Sequence, residues 1–101
     1  MDHRQLQHAE KAARVLSSVA HPLRLLIVCM LIERERFVGE LLEQIGTTKG
    51  NVSQHLRLLE NKGLIRKRRE GNRIFYSIKD QKIGELLKCV RGLYCAGLKV
   101  S

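Results

Sequence analysis

The chain has 101 residues, enough for one small domain and too few for two, and 44% of them are hydrophobic. Nineteen Lys and Arg stand against ten Asp and Glu, a formal charge of +9 that favours a polyanionic partner. The longest apolar run, Leu25 to Ile32, falls well short of the roughly 20 residues of a membrane helix. The opening "MDHRQLQHAEKAARV" lacks the apolar centre of a signal peptide, so the expected location is cytoplasmic with no membrane partner.

Residues Gln5 to Ser18 carry Leu6, Ala9, Ala13 and Leu16 at helical spacing, which predicts a first helix. "AHP" breaks it, and Pro22 suits the first turn of a second helix that runs to about Arg34. Val38 to Ile45 reads as a short third helix closed by Gly46. "GTTKGNVSQHLRLLENKG" reads as a turn and a fourth helix, with Thr48 as N-cap and Gly63 as its stop. "LIRKRRE" and "RIFYSI" flank Gly71-Asn72, a two-residue hairpin signal between β-type runs. Asp80 then caps a last helix, on which Ile83, Leu86, Leu87, Val90 and Tyr94 form the apolar stripe.

This order makes the fold mainly α with a small β-hairpin: a winged helix-turn-helix over residues 1–101. The recognition helix lies at about 48–62, the wing at about 64–78 and the terminal helix at about 80–98.

Charge supports that reading. Thr47 to Lys79 holds nine basic residues and two acids, whereas Glu33 to Gly46 holds four acids and two bases. At about 100° per residue, Val52, Leu56 and Leu59 of the fourth helix share one core-facing stripe. Gly50, Gln54 and Arg57 lie opposite, with Asn51 and Ser53 on the shoulders, where amides and hydroxyls reach base edges in the major groove. Thr48, Lys49 and the N–H groups of the helix start suit phosphates, and Gly50 permits close approach of the DNA backbone. Arg68, Arg69 and Arg73 flank the hairpin turn and are expected at phosphates or the minor groove. His55, at the edge of the apolar stripe, is expected to be structural.

"HPLRLLIVCML", "VGELLEQIG", "NVSQHLRLLENKGLIRKRREGNRIFYSI" and the closing helix resemble the ArsR family of bacterial dimeric winged-helix repressors, over nearly the whole chain. The resemblance implies a homodimer with the terminal helices at its seam, an inverted-repeat operator in double-stranded DNA, and an inducer that changes DNA affinity.

The inducer turns on three cysteines, Cys29, Cys89 and Cys95, an odd number that argues against a disulfide framework. Metal-sensing members of the family carry Cys-x-Cys in the third helix or Asp and His ligands on the last. Here the third helix has neither Cys nor His, and the last offers Asp80 and Glu85 without a histidine. No metal and no cofactor are therefore expected, although a three-thiolate site from the cysteines stays open as an alternative. Cys29 and Cys95 match the two positions of the BigR/SqrR-type subgroup, which responds to reactive sulfur species. That resemblance implies redox sensing by Cys29 and Cys95, with persulfide, polysulfide or another thiol oxidant as inducer. Arg91 and Lys88 precede Cys95 by one and two turns, while Glu85 precedes Cys89. Cys95 is thus the expected attacking thiolate and Cys29 the buried resolving one. With no Cys-x-x-Cys and no paired Cys/His spacing, an enzyme is not expected; a ligand-independent DNA binder is the remaining rival.

Overall fold

A computed structural model describes residues 2–94, with side chains as far as Lys88. Helix α1 (His3–Ser18) starts on a capping box in which Asp2 Oδ1 accepts from the Gln5 N–H at 2.8 Å and Gln5 Oε1 from the Asp2 N–H at 3.1 Å. The chain bends by 99° into α2 (Pro22–Glu33), where His21 Nδ1 accepts from the Leu23 N–H. There follow β1 (Arg36–Phe37), α3 (Val38–Ile45), α4 (Lys49–Asn61), β2 (Ile65–Glu70), β3 (Arg73–Ile78) and α5 (Gln81–Tyr94). The sheet is antiparallel in the order β1-β3-β2. This is the winged helix-turn-helix expected from the sequence; the end of the last helix, residues 95–98, lies outside the described residues.

Two features depart from expectation. The wing has a third strand: Arg36 and Phe37 pair with Tyr76 and Phe75 of β3. Two residues carry no period-2 pattern, so only the fold brings them to the sheet edge. Leu86, counted with the core stripe of the last helix, remains 37% exposed, whereas Ile83 and Leu87 are buried. It faces α1, lining with Val15 and Leu16 a hollow of about 470 Å³.

The core is built around α2. Ile27 through Leu31 are all buried, Cys29 among them, and the helix packs against α3, α4, α5 and β3. Val52, Leu56 and Leu59 of α4 join them as the angular reading requires, together with Ile65, Tyr76, Ile83 and Leu87. A Cβ on Gly84 would come within 4.0 Å of Ile32 Cγ1, so α5 covers the second face of α2. Helix α1 stays apart: Ser18 is its buried residue, and Leu6 and Leu16 remain 46% and 45% exposed.

Residues 33–37, "ERERF", fasten α2 to its neighbours. Arg36 is 2% exposed; its Nε donates to the Met30 carbonyl at 3.4 Å and its Nη2 meets Glu33 at 3.0 Å. This places a cation against the carbonyls at the α2 C-terminus, the negative end of the helix dipole. Arg34 pairs at 2.6 Å with Glu40 in the first turn of α3, and that hydrogen bond holds the Glu40 carboxyl below its ordinary range. Glu40 also accepts from the Phe37 N–H at 3.2 Å, closing the start of α3.

His55 of α4 is half-buried, its ring 4.5 Å from that of His21 at the head of α2, with Arg24 close enough to act on it. Burial first, and then the charges of His21 and Arg24, push its pKa down. The unfolded chain therefore takes up this proton at a higher pH than the folded one, and stability is lost as pH falls below about 6.5. Urea midpoints at about pH 7.5 and about pH 5.5 should differ in the parent, with lower stability in acid, and differ less in His55→Gln. Equal pH dependence in both proteins would show that His55 carries none of it.

Candidate nucleic-acid interface

Helix α3, the turn and α4 form the helix-turn-helix. Gly46 takes φ +71°, a left-handed conformation that lets α3 end and the chain turn within three residues. Thr48 Oγ1 accepts from the Asn51 N–H at 3.2 Å, which makes it the N-cap predicted for α4. Asn51 Nδ2 donates back to Thr47 Oγ1 at 3.2 Å, so this amide is partly engaged within the turn. With Val52, Leu56 and Leu59 buried, the opposite face presents Lys49, Gly50, Gln54 and Arg57 to solvent. Nothing lies within 4 Å of a Cβ built on Gly50, so no packing inside the chain calls for glycine there. Ser53 is half-buried and turns toward the wing.

The wing closes through Gly71-Asn72, with Glu70 opposite Arg73 across the loop. Gly71 takes φ +62° at the first of the two loop positions, the place a type II′ hairpin turn reserves for glycine. Alternation along β2 and β3 sets Lys67 and Arg69 on the side of Tyr76 and Ile74, and Arg68 on the side of Phe75. A groove of about 370 Å³ between α4 and the wing is lined by Lys49, Ser53, Asn72, Arg73 and Tyr76, with Phe37 at its wall. The fold thus brings Lys49, Ser53 and Arg73 to one cleft, leaves Gln54 and Arg57 on the open helix face, and sets Arg69 exposed on the outer strand β2.

Four acidic or aromatic partners, Glu35, Glu70, Phe75 and Phe37, were not legible in the sequence. Arg68 donates from Nε and Nη2 to both oxygens of Glu35, at 2.9 and 2.7 Å, and from Nη1 to Glu70 at 2.7 Å. Its guanidinium lies 4.4 Å over the Phe75 ring, Phe75 meets Phe37 edge-on at 5.8 Å, and Arg73 stacks at 4.6 Å over Phe37. The hydrogen bond to Glu35, then that to Glu70, raises the Arg68 pKa, and the Glu35 carboxyl is lowered in return. The signal lay in alternating charge over 33–36, but its partner is 33 residues away.

Of the thiols, Cys29 is fully buried in α2. Cys95 lies outside the described residues, and the side chain of Cys89 is not among those described. No three His, Cys, Asp or Glu side chains converge on a common point among the described residues. No single helix there is long and apolar enough to cross a membrane.

Residues 21–67, spanning α2 through the helix-turn-helix into the wing, match the family model for the bacterial regulatory proteins of the arsR family. The biofilm growth-associated repressor of Xylella fastidiosa strain 9a5c is 37% identical over 89% of this chain and 79% of its own length. The chain belongs to the arsR family. Among solved structures, the transcriptional repressor BigR from Xylella fastidiosa superposes with a TM-score of 0.85 at 34% identity, over 94% of this chain and 98% of that one. The homodimeric winged helix-turn-helix DNA-binding domain of a possible ArsR-family regulator from Mycobacterium bovis gives 0.76 at 29% identity, over 92% and 86%. The BigR likeness places this arsR-family chain with the BigR-type regulators, which are not enzymes.

Gln54 carries an exposed side-chain amide on the open face of α4. Gln54→Ala should weaken binding to the cognate operator by about 1–3 kcal/mol and leave binding to random duplex nearly unchanged. Competition binding on the two DNAs checks this, and equal loss on both would make Gln54 a positioning residue only.

Proposed function

We propose that this chain is a homodimeric transcriptional repressor, acting in the cytoplasm, that binds an inverted-repeat operator in its reduced state. It releases DNA when Cys29 and Cys95 are crosslinked by persulfide, polysulfide or another thiol oxidant. Gln54 and Arg57 read base edges, Asn51 and Ser53 support them, and Thr48 and Lys49 hold phosphates at the positive end of α4. Arg69 and Arg73 carry the wing to the backbone or minor groove.

The homodimer is supported by apolar surface that one chain leaves uncovered: Leu6 on α1, and Leu16 of α1 beside Leu86 of α5. A small domain gains from burying such a strip against its twin. The Mycobacterium bovis relative is itself homodimeric.

The observation that carries the sensor reading is the position of Cys29. It is fully buried in the helix that touches α3, α4, α5 and β3, one residue before the Met30 whose carbonyl holds Arg36 of the sheet. A new covalent tie at that point cannot be absorbed by a surface side chain. In the chemistry we propose, the Cys95 thiolate attacks a sulfane sulfur of the polysulfide and expels the shorter chain, leaving a persulfide. Cys29 then attacks the Cys95 sulfur, hydrogen sulfide leaves with the proton, and a disulfide joins the second helix to the end of the last. Release needs a coupling of only about 1–3 kcal/mol, which a small change in half-site spacing supplies.

Cys29→Ser should fold, bind operator when reduced, and fail to release it on polysulfide treatment. Cys95→Ser should behave alike, since either loss prevents the crosslink, while Cys89→Ser should respond like the parent. Burying a hydroxyl has a cost, so the fold of each variant is checked by thermal melting. A folded Cys29→Ser that still releases DNA on oxidation would reduce Cys29 to core filler.

A further inference from the structure

The DNA-binding reading makes every wing cation available to phosphates, but Arg68 is already held by two carboxylates at 2.7–2.9 Å, whereas Lys67 meets Glu60 only at 3.8 Å. Arg68 spends its Nε–Nη2 edge on Glu35 and its Nη1 on Glu70, with the guanidinium flat over Phe75. The Nε–Nη2 edge is the fork that grips a phosphate bidentately. Its neighbour Arg69 points to the other face of the strand and makes no ion pair among the described residues.

The clamp does little for the fold. Arg68 is 50% exposed, Glu35 34% and Glu70 69%, and ion pairs this open to water are screened. Nor is it a local accident of the hairpin, since Glu35 lies on the loop between α2 and β1, 33 residues away. What it does is set two carboxylates on a cation of a surface that otherwise attracts any DNA.

We propose that Glu35, with Glu70, withholds Arg68 from the DNA backbone and so restrains sequence-independent binding. This rests on the DNA-binding reading. The two carboxylates act as an internal stand-in for phosphate. They lower affinity for arbitrary duplex, the competitor that a genome presents in vast excess. Glu35 is then a residue that sets specificity without touching a base.

The test measures affinity for a random duplex across a salt series in four full-length proteins: parent, Glu35→Gln, Arg68→Ala and the double variant. Glu10→Gln, an exposed charge change on α1, serves as control. Freeing Arg68 adds one phosphate contact per protomer, so the Glu35→Gln homodimer should bind severalfold more tightly at low salt, with the salt slope steeper by about 1.8, or about 0.9 per protomer. In the Arg68→Ala background the same change should add nothing, and Glu10→Gln should leave the slope at the parent value. Parent-like binding by Glu35→Gln, or an equal gain with and without Arg68, overturns the inference while the DNA-binding reading stands. Absence of duplex affinity in the reduced parent would instead overturn that reading, and this inference with it.

Discussion

The burial of α2 is the constraint on which the rest of the molecule depends. Five consecutive residues, Ile27 to Leu31, are hidden, so this helix has no wet face along its middle. Burying a large aliphatic side chain stabilises by about 1.5–3 kcal/mol, and exposed ion pairs contribute about 0–1 kcal/mol each. Packing around α2 therefore decides where α3, α4, α5 and β3 sit, and the surface pairs adjust to it. Helix α4 is held by Val52, Leu56 and Leu59 against this centre, which leaves its opposite face open to solvent. Close-packed cores respond to a displaced element by shifting neighbours rather than by yielding locally. A thiol at position 29 thus stands where a covalent event has the widest mechanical consequence.

The connection from that centre to the DNA-binding surface is short. Arg36 binds the Met30 carbonyl and Glu33, Arg34 binds Glu40 at the head of α3, and Glu35 binds Arg68 of the wing. Consecutive residues of one loop thereby reach α2, α3 and β2. Arg36 is nearly buried and holds its place in the fold; the other two pairs are exposed and stand at the head of α3 and on the wing. Most of the charge surplus of the chain lies in residues 47–79, from the turn before α4 through the hairpin.

Much of this was legible in the residues, for reasons that differ by element. Pro22, Thr48, Gly63 and Asp80 punctuate helices by local backbone chemistry, and Gly71-Asn72 marks a hairpin by its own conformational preference. The α4 stripe follows from a period of 3.6. What stayed hidden is non-local. β1 exists only because Phe37 meets Phe75, and the Arg68 clamp only because the fold brings residue 35 to residue 68. Leu86 shares its spacing with the buried Ile83 and Leu87 yet stays exposed, because periodicity reports that a helix has an apolar face, not whether its own chain covers it. The exposed face of α4 is legible from the same period, while the partial engagement of Asn51 by Thr47 depends on side-chain geometry in a turn.

The central claim, that the chemical state of Cys29 governs DNA affinity, is tested most directly by following linkage and affinity in the same sample. Reduced protein is treated with graded polysulfide, and each fraction is divided between peptide mass spectrometry and operator titration. The account predicts that the fraction of molecules with a Cys29–Cys95 linked peptide equals the fraction that has lost operator binding. Full linkage with undiminished affinity, or lost affinity without linkage, would contradict it.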